Sequence, residues 1–308
     1  MKIAITGGAG FIGSHIVDSY IQQGHTVVVL DNFSSGNRDN IHPKASVIDI
    51  DITSQSLVEL FEKEQFDVVN HHAAQLNLRV STEKPMFDAS VNILGTINVL
   101  DASARSGSVS HFIFASTGGA LYGEFEGHYF TENDQVSPQA PYGISKNSAE
   151  YYVKYFAKKY NFQYSILRYT NVYGPRQNAK GEAGVVSIFI NTLLDSKIPT
   201  INGLGNQTRD YVFVSDIATV NTLLLQHTEN ITLNVSCEIE TSVKSVYETI
   251  LQTLQLNIEP NFGQPINGEV MRSSCSNSKL KTIFNWSPST TLTDGIKQTV
   301  EYFVSQRQ

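Results

Sequence analysis

Residues 3–14, I-A-I-T-G-G-A-G-F-I-G-S, constrain this chain more than any other stretch. Ile3-Ala4-Ile5 reads as a buried strand, and the spacing of Phe11, Ile12, Ile16 and Val17 reads as an apolar helix face. Gly7, Gly10 and Gly13 lie between and into these elements. A tight turn, a backbone approaching a phosphate and a close helix–strand contact each need a position without a Cβ. The helix N-terminus points free N–H groups and its positive dipole end at that turn, which suits a pyrophosphate. Asp31 closes a second strand at 26–30, at the distance of about 20 residues that a dinucleotide site requires. A carboxylate there accepts both hydroxyls of an adenosine ribose and repels a 2′-phosphate. The expected cofactor is therefore NAD rather than NADP.

The same alternation continues. Residues 46–51, 67–71, 111–115 and 163–167 read as strands, and 56–63, 88–106 and 145–160 as helices. Repeated βαβ units imply a parallel sheet covered on both faces, with ligands at the carboxyl ends of its strands. Beyond Asn171 the elements shorten, punctuated by Gly174-Pro175, Gly181, Gly184, Gly203, Gly205, Pro260, Gly263, Pro265 and Gly268. The predicted class is α/β, a Rossmann-type doubly wound parallel sheet with a smaller C-terminal α/β substrate cap. The dinucleotide-binding domain takes residues 1–172 plus about 210–237, and the cap takes 173–209 and 238–308. The segment 210–214 is expected to return to the main sheet, and Trp286 to anchor the core of the cap.

A net charge of −7 with no dense Lys/Arg run argues against nucleic acid as a partner. Cys237 and Cys275 show neither metal spacing nor a disulfide framework, so a reducing cytoplasm is the expectation. The N-terminus reads as a strand rather than a signal peptide, and no apolar run reaches the roughly 18 residues of a membrane span. His71, His72 and the other histidines lack ligand spacing and read as structural, so no metal is expected.

Tyr142 and Lys146, in P-Y-G-I-S-K, stand four apart and share one face of a helix. A free tyrosine is a poor base at neutral pH, whereas a neighbouring ammonium and a cationic nicotinamide both favour phenolate. Spacing alone is weak, since Tyr151/Tyr155 show the same interval; a dinucleotide turn and a hydroxyl-bearing strand end give the pair its meaning. At that strand end, F-A-S-T-G-G, either Ser116 or Thr117 can bond a reacting hydroxyl.

Together with Asp31-Asn32, H-H-A-A at 71–74, Asn92 with Gly95-Thr96, S-T-G-G-A-L-Y-G, L-R-Y-T-N-V-Y-G-P-R-Q and R-D-Y-V-F-V-S-D, these motifs resemble the extended short-chain dehydrogenase/reductase family, most closely its UDP-glucose 4-epimerase branch. The resemblance implies that Gly7, Gly10, Phe11, Ile12 and Gly13 wrap the pyrophosphate and that Asp31 and Asn32 hold the adenosine ribose. It implies Asp51 and Ile52 beside adenine, and Ala73, Ala74, Gln75, Asn92, Ala115 and Tyr169 along the ribose–nicotinamide path. Tyr142 is then the base, Lys146 its electrostatic partner and a ribose ligand, and Thr117 the hydroxyl that positions the sugar. Asn171 and Arg209 contact the nucleotide diphosphate, with Glu269, Arg272 and Ser273 completing the substrate site.

Three departures refine the expected chemistry. The dehydratase branch needs an Asp-Glu pair where this chain has Gly118-Gly119, which leaves oxidation and re-reduction without elimination. Ile266 stands where the epimerases often place an arginine, so diphosphate binding falls to Arg209, helped by Arg272. Ser273 takes the position that gates sugar size and leaves room for an N-acetyl group. The implied activity is NAD-dependent inversion at C4 of a UDP-sugar through a transient 4-keto species. A net oxidoreductase on a nucleotide sugar is the alternative, and a non-catalytic NAD-sensing module a further one. Helices at 88–106 and 145–160 are the family's dimer contact, so a homodimer is expected.

Overall fold

The computed structural model describes residues 1–124, 127–178, 184–266 and 269–307. Gly181 and Gly268 lie outside them. The first half supplies β1 (Lys2–Thr6), α1 (Phe11–Gln22), β2 (Thr26–Asp31), β3 (Ser46–Asp49), α2 (Leu57–Glu64), β4 (Val68–His71), α3 (Leu78–Glu83) and α4 (Pro85–Ala89). A π-helical turn at Ser90–Gly95 joins α4 to α5 (Thr96–Ser106), and β5 (His111–Thr117), α6 (Pro141–Tyr160) and β6 (Gln163–Tyr169) follow. The second half supplies β7 (Asn171–Tyr173), α7 (Val185–Leu194), β8 (Thr200–Asn202), β9 (Thr208–Phe213), α8 (Val214–Leu224) and β10 (Ile231–Val235). It ends with β11 (Glu240–Ser242), α9 (Val243–Leu254), β12 (Asn261–Gly263), β13 (Arg272–Ser273), α10 (Ser278–Phe284) and α11 (Leu292–Ser305).

Seven strands form one parallel sheet in the order β10-β6-β5-β4-β1-β2-β3. Its central strands are runs such as T-V-V-V-L-D, buried on both faces, because helices cover each side. Alternate residues feed two cores: Ile3, Ile5 and Val29 pack with Ile16 and Val17 of α1, while Ala4, Val28 and Leu30 pack with Phe61, Leu100 and Val153. The strand order turns back between β1 and β4, and a ligand crevice opens at such a reversal.

A second sheet is built on β9, which pairs with β7, β11 and β13. It packs on a third core containing Tyr173, Phe189, Phe213, Tyr247 and Ile296. Residues 210–214, expected from the sequence to rejoin the main sheet, therefore belong to this second sheet. The strand that does rejoin it is β10, parallel to β6. An apolar run such as D-Y-V-F-V fits either sheet, and only the available partners decide. Trp286 is also corrected: with Phe284 it packs against the core of the main sheet, because α10 lies against β10. The helix expected at 88–106 begins at Pro85 and carries the π-helical turn, and α6 begins at Pro141, a residue suited to a first helical position.

Candidate active site

The chain leaves β1 at Gly7 with φ of 68°, a left-handed conformation natural to glycine. A Cβ there would lie 2.7 Å from Ala73 N, and one on Gly13 would run into the Gly7 carbonyl. Gly10 caps α1 without a side-chain bond, and the first helical turn holds no acidic residue. The N-terminus beginning at Phe11 and Ile12 is thus left to the oxygens of a ligand. A cradle that any Cβ would fill, ending on an uncapped helix, fits a dinucleotide pyrophosphate.

Asp31 ends β2 facing this turn. Its Oδ2 accepts from Ala9 N at 3.0 Å and its Oδ1 from Phe33 N at 2.8 Å, so the carboxylate is tied to the glycine loop with further acceptor capacity on each oxygen. Asn32 donates to Asp51 Oδ2 at 2.6 Å. Burial pushes Asp51 up, but the hydrogen bonds from Thr53 and Asn32 outweigh it and hold the carboxyl below its usual range. Ile52, beside it, is buried.

Across the crevice, Ala73 and Ala74 follow β4, with Ala73 N bonded to Thr6 Oγ1 at 3.1 Å. Asn92 stands on the π-helical turn. Its Oδ1 accepts from Gln75 N at 2.9 Å and its Nδ2 donates to Gln75 O at 2.8 Å, which locks that loop. His71 is buried between Thr6 and Thr96, and His72 stacks on Tyr169 with Nε2 3.2 Å from its hydroxyl.

Tyr142 and Lys146 do share one face of α6. Lys146 is buried, with Nζ donating to Ala115 O at 2.9 Å. Burial lowers its ammonium to about 8 against the opposing pull of Asp88 and Glu150. Tyr142 is half-buried, and burial, then Asp88, push its phenol up. In the chain without ligand the balance at Tyr142 thus favours the phenol, and the sequence expectation of phenolate rests on the ammonium and a cationic nicotinamide acting together.

The strand end separates Ser116 from Thr117. Ser116 Oγ donates to Glu150 Oε1 at 2.6 Å and is committed to the interior. Thr117 is half-buried, and its Oγ1 accepts from Ala120 N at 3.2 Å, a bond that leaves its hydrogen to give. Gly118 follows under tight cover, with Cys275 Sγ 3.0 Å from where a Cβ would stand.

In the second sheet Asn171 opens β7 and Arg209 pairs in register with Ser273 of β13. Arg209 Nη2 lies 3.2 Å from Glu269 Oε1, a partly buried ion pair. Arg272 gives two hydrogen bonds to Glu240, at 2.6 and 2.8 Å, and pairs in register with Thr208. Ser273 is buried, and Ile266 is exposed.

Four participants escaped the sequence reading. Asp88 holds Gln75 and Asn92; Glu150 and Arg168 form a buried ion pair behind Ser116; Glu124 accepts from Met271 N and Arg272 N and ties the loop after β5 to β13. For Glu150 a signal existed: it continues the 142, 146 spacing along α6, where a buried acid requires a partner. For Asp88 the step of four to Asn92 was a local signal too, whereas the contacts of Arg168 and Glu124 are distant in sequence.

Fold and site together define a dinucleotide-binding enzyme of the Rossmann type with a tyrosine–lysine pair. The chain belongs to the NAD dependent epimerase/dehydratase family, whose model matches residues 3–236. It is 43% identical over 300 residues to a putative UDP-glucose 4-epimerase of Methanocaldococcus jannaschii, with 97% of each chain covered. Among solved structures it is similar to UDP-glucose 4-epimerase of Thermotoga maritima with UDP-glucose, at 39% identity and a TM-score of 0.97 over 100% of both chains. It is also similar to the Thermus thermophilus UDP-glucose 4-epimerase complex with NAD, at 36% identity and a TM-score of 0.93 over 99% of both. No helix among the described residues is long and apolar enough to cross a membrane.

Proposed function

We propose that this chain inverts C4 of a UDP-sugar, UDP-glucose and UDP-galactose first, with the N-acetyl forms also admitted. One observation carries this reading: Lys146, four residues after Tyr142 on α6, bonds the carbonyl of Ala115, two residues before Thr117 at the end of β5, while Gly118 and Gly119 offer no acid to expel a hydroxyl. The likeness to UDP-glucose 4-epimerases over the whole chain supports it.

The glycine turn, Asp31 and the Gln75–Asn92 wall would hold NAD, which supplies a hydride acceptor and donor for C4 when bound. Tyr142 takes the proton of the 4-hydroxyl and returns it, and Thr117 orients that hydroxyl. Lys146 supplies the positive charge beside the phenol. Arg209 and Asn171 anchor the diphosphate, about which the sugar presents either face. Ser273, small and next to Arg209, leaves space at the sugar. Arg272, held by Glu240, has a structural part in this scheme.

We assign the protein to the cytoplasm, where its two free cysteines remain thiols. We also assign it a homodimer. Met86, Phe87, Leu94, Ile144, Tyr151 and Tyr155 are exposed on α4, the π-helical turn and α6, an apolar face that a second copy would cover. Light scattering that returns the mass of one chain overturns the dimer.

The function is tested by an NMR time course with UDP-glucose, and in parallel UDP-N-acetylglucosamine, without added cofactor. Appearance of the galacto epimer supports the reading, and the ratio of rates measures the tolerance at Ser273. No epimer from either sugar moves the assignment to a net oxidoreductase on nucleotide sugars.

A further inference from the structure

Asp88, on α4, has no exposed surface. Its Oδ1 accepts from Asn92 Nδ2 at 3.0 Å and from Gln75 Nε2 at 3.1 Å. Its Oδ2 is buried with no hydrogen-bond partner among the described residues. A carboxylate out of water with one oxygen unpaired is costly unless a cation balances it.

The charges around α6 identify that cation. Arg168 is buried and is matched through two hydrogen bonds by Glu150, which Lys154 also approaches at 3.9 Å. Lys146 is the other buried cation here, and its ammonium reaches a neutral carbonyl. His71 and His72 are kept neutral by burial, His72 down to about 3. Arg79 and Glu83 on α3 are exposed. Once Glu150 and Arg168 are paired, one buried anion and one buried cation remain, Asp88 and Lys146, on helices that pack together.

The geometry points to Asp88 as a positioning residue for the reaction: it supplies the counter-charge of Lys146 and fixes the Gln75–Asn92 wall of the dinucleotide path. This rests on the roles given above to Tyr142 and Lys146. The carboxylate keeps Lys146 an ammonium through neutral pH. The same negative charge disfavours phenolate at Tyr142, so the base remains a phenol until further positive charge reaches the site. In the chain without ligand one buried acid thus adds to burial in disfavouring phenolate and, with Glu150, opposes burial at the lysine.

The test is a titration of the Lys146 side chain by NMR of the [13Cε]lysine-labelled chain without ligand, assigned with K146R. In D88N the Lys146 midpoint falls by about one pH unit. In D88E, which restores the charge, most of that fall is recovered. With substrate and cofactor, both limbs of the kcat–pH profile of D88N move to lower pH. An unmoved Lys146 midpoint in D88N, whatever its melting temperature, overturns the proposal. Should D88N not fold, the unsubstituted chain decides: a Lys146 midpoint above pH 7 sustains the proposal, and one below pH 7 overturns it. The NMR readout needs no turnover, so it is independent of whether the chain epimerises UDP-sugars.

Discussion

Glu150 and Arg168 hold each other through two hydrogen bonds, Oε2 to Nη2 at 2.7 Å and Oε1 to Nε at 2.9 Å, with both side chains nearly closed to solvent. The pair joins the helix of Tyr142 and Lys146 to β6. Through Ser116 it also reaches the strand of Thr117, and through Tyr122, whose hydroxyl accepts from Arg168 at 2.7 Å, the loop beyond it. The groups proposed as catalytic are therefore positioned from behind by a charged joint.

Removing one partner of that joint leaves a buried charge. Glu150→Leu is expected to lower stability by about 3–5 kcal/mol, and the double replacement Glu150→Leu with Arg168→Met to recover most of the loss. Urea unfolding followed by circular dichroism measures both. Equal losses in the single and double variants would show that the joint acts by packing alone.

Tyr142→Phe removes the hydroxyl proposed as proton acceptor and leaves the ring. Epimerisation is expected to fall by roughly 10²–10⁴-fold with the melting temperature nearly unchanged. Thr117→Val should reduce kcat more than it raises KM, if Thr117 acts at the reacting hydroxyl as proposed. Full activity of the Tyr142 variant in a coupled assay would end the proposed mechanism.

Arg209 meets Glu269 in the chain without ligand, so a diphosphate bound there as proposed would compete with that carboxylate. Arg209→Ala is expected to weaken UDP binding by about 1.5–3 kcal/mol, the range for hydrogen bonds to charged groups. Ile266→Arg, at an exposed position, should strengthen it by a similar amount. Calorimetry with UDP gives both values; no gain from the arginine would place residue 266 away from the phosphates.

Burial lowers His72 to about 3 and His111 to about 4. Both lie below the ordinary 6.5, so between pH 6.5 and 4 the unfolded chain binds protons that the native chain does not. Stability falls as pH falls through that window, with a limiting slope of about 1.4 kcal/mol per pH unit for each histidine. Asp210, pushed up to about 6 by burial, acts in the opposite sense, so the readout is a difference. His111→Gln should flatten the dependence of the urea midpoint on pH relative to the unsubstituted chain.

The turn after β1 was legible because each glycine answers a local steric demand, and Asp31 follows at a fixed interval. The parallel sheet was legible because strands covered on both faces lose their polar alternation. The membership of β9 was not, since its residues suit either sheet. The π-helical turn was not, because the bonds from Asn92 reach a loop 17 residues away. Ser116 and Thr117 were equivalent as letters, and only the pleat sends one inward to Glu150. Tyr142 and Lys146 were legible in place but not in charge, because the burial that moves both most comes from packing distant in sequence, and Asp88, which weighs on both, reads as one more helical acid.

The cover over Gly118 has a consequence for the acids this strand end can take. A side chain there would meet Cys275 Sγ at 3.0 Å and the Arg168 carbonyl at 3.2 Å, whereas one at Gly119 meets only ordinary contact at 3.6 Å. A chain acquiring the acidic pair of a dehydratase would thus face uneven steps: the second acid enters at ordinary contact, and the first asks Cys275 or the backbone near Arg168 to give by a few tenths of an ångström. The room for an acid beside Thr117 is therefore set by a buried thiol and a backbone carbonyl, groups that carry no charge into the site.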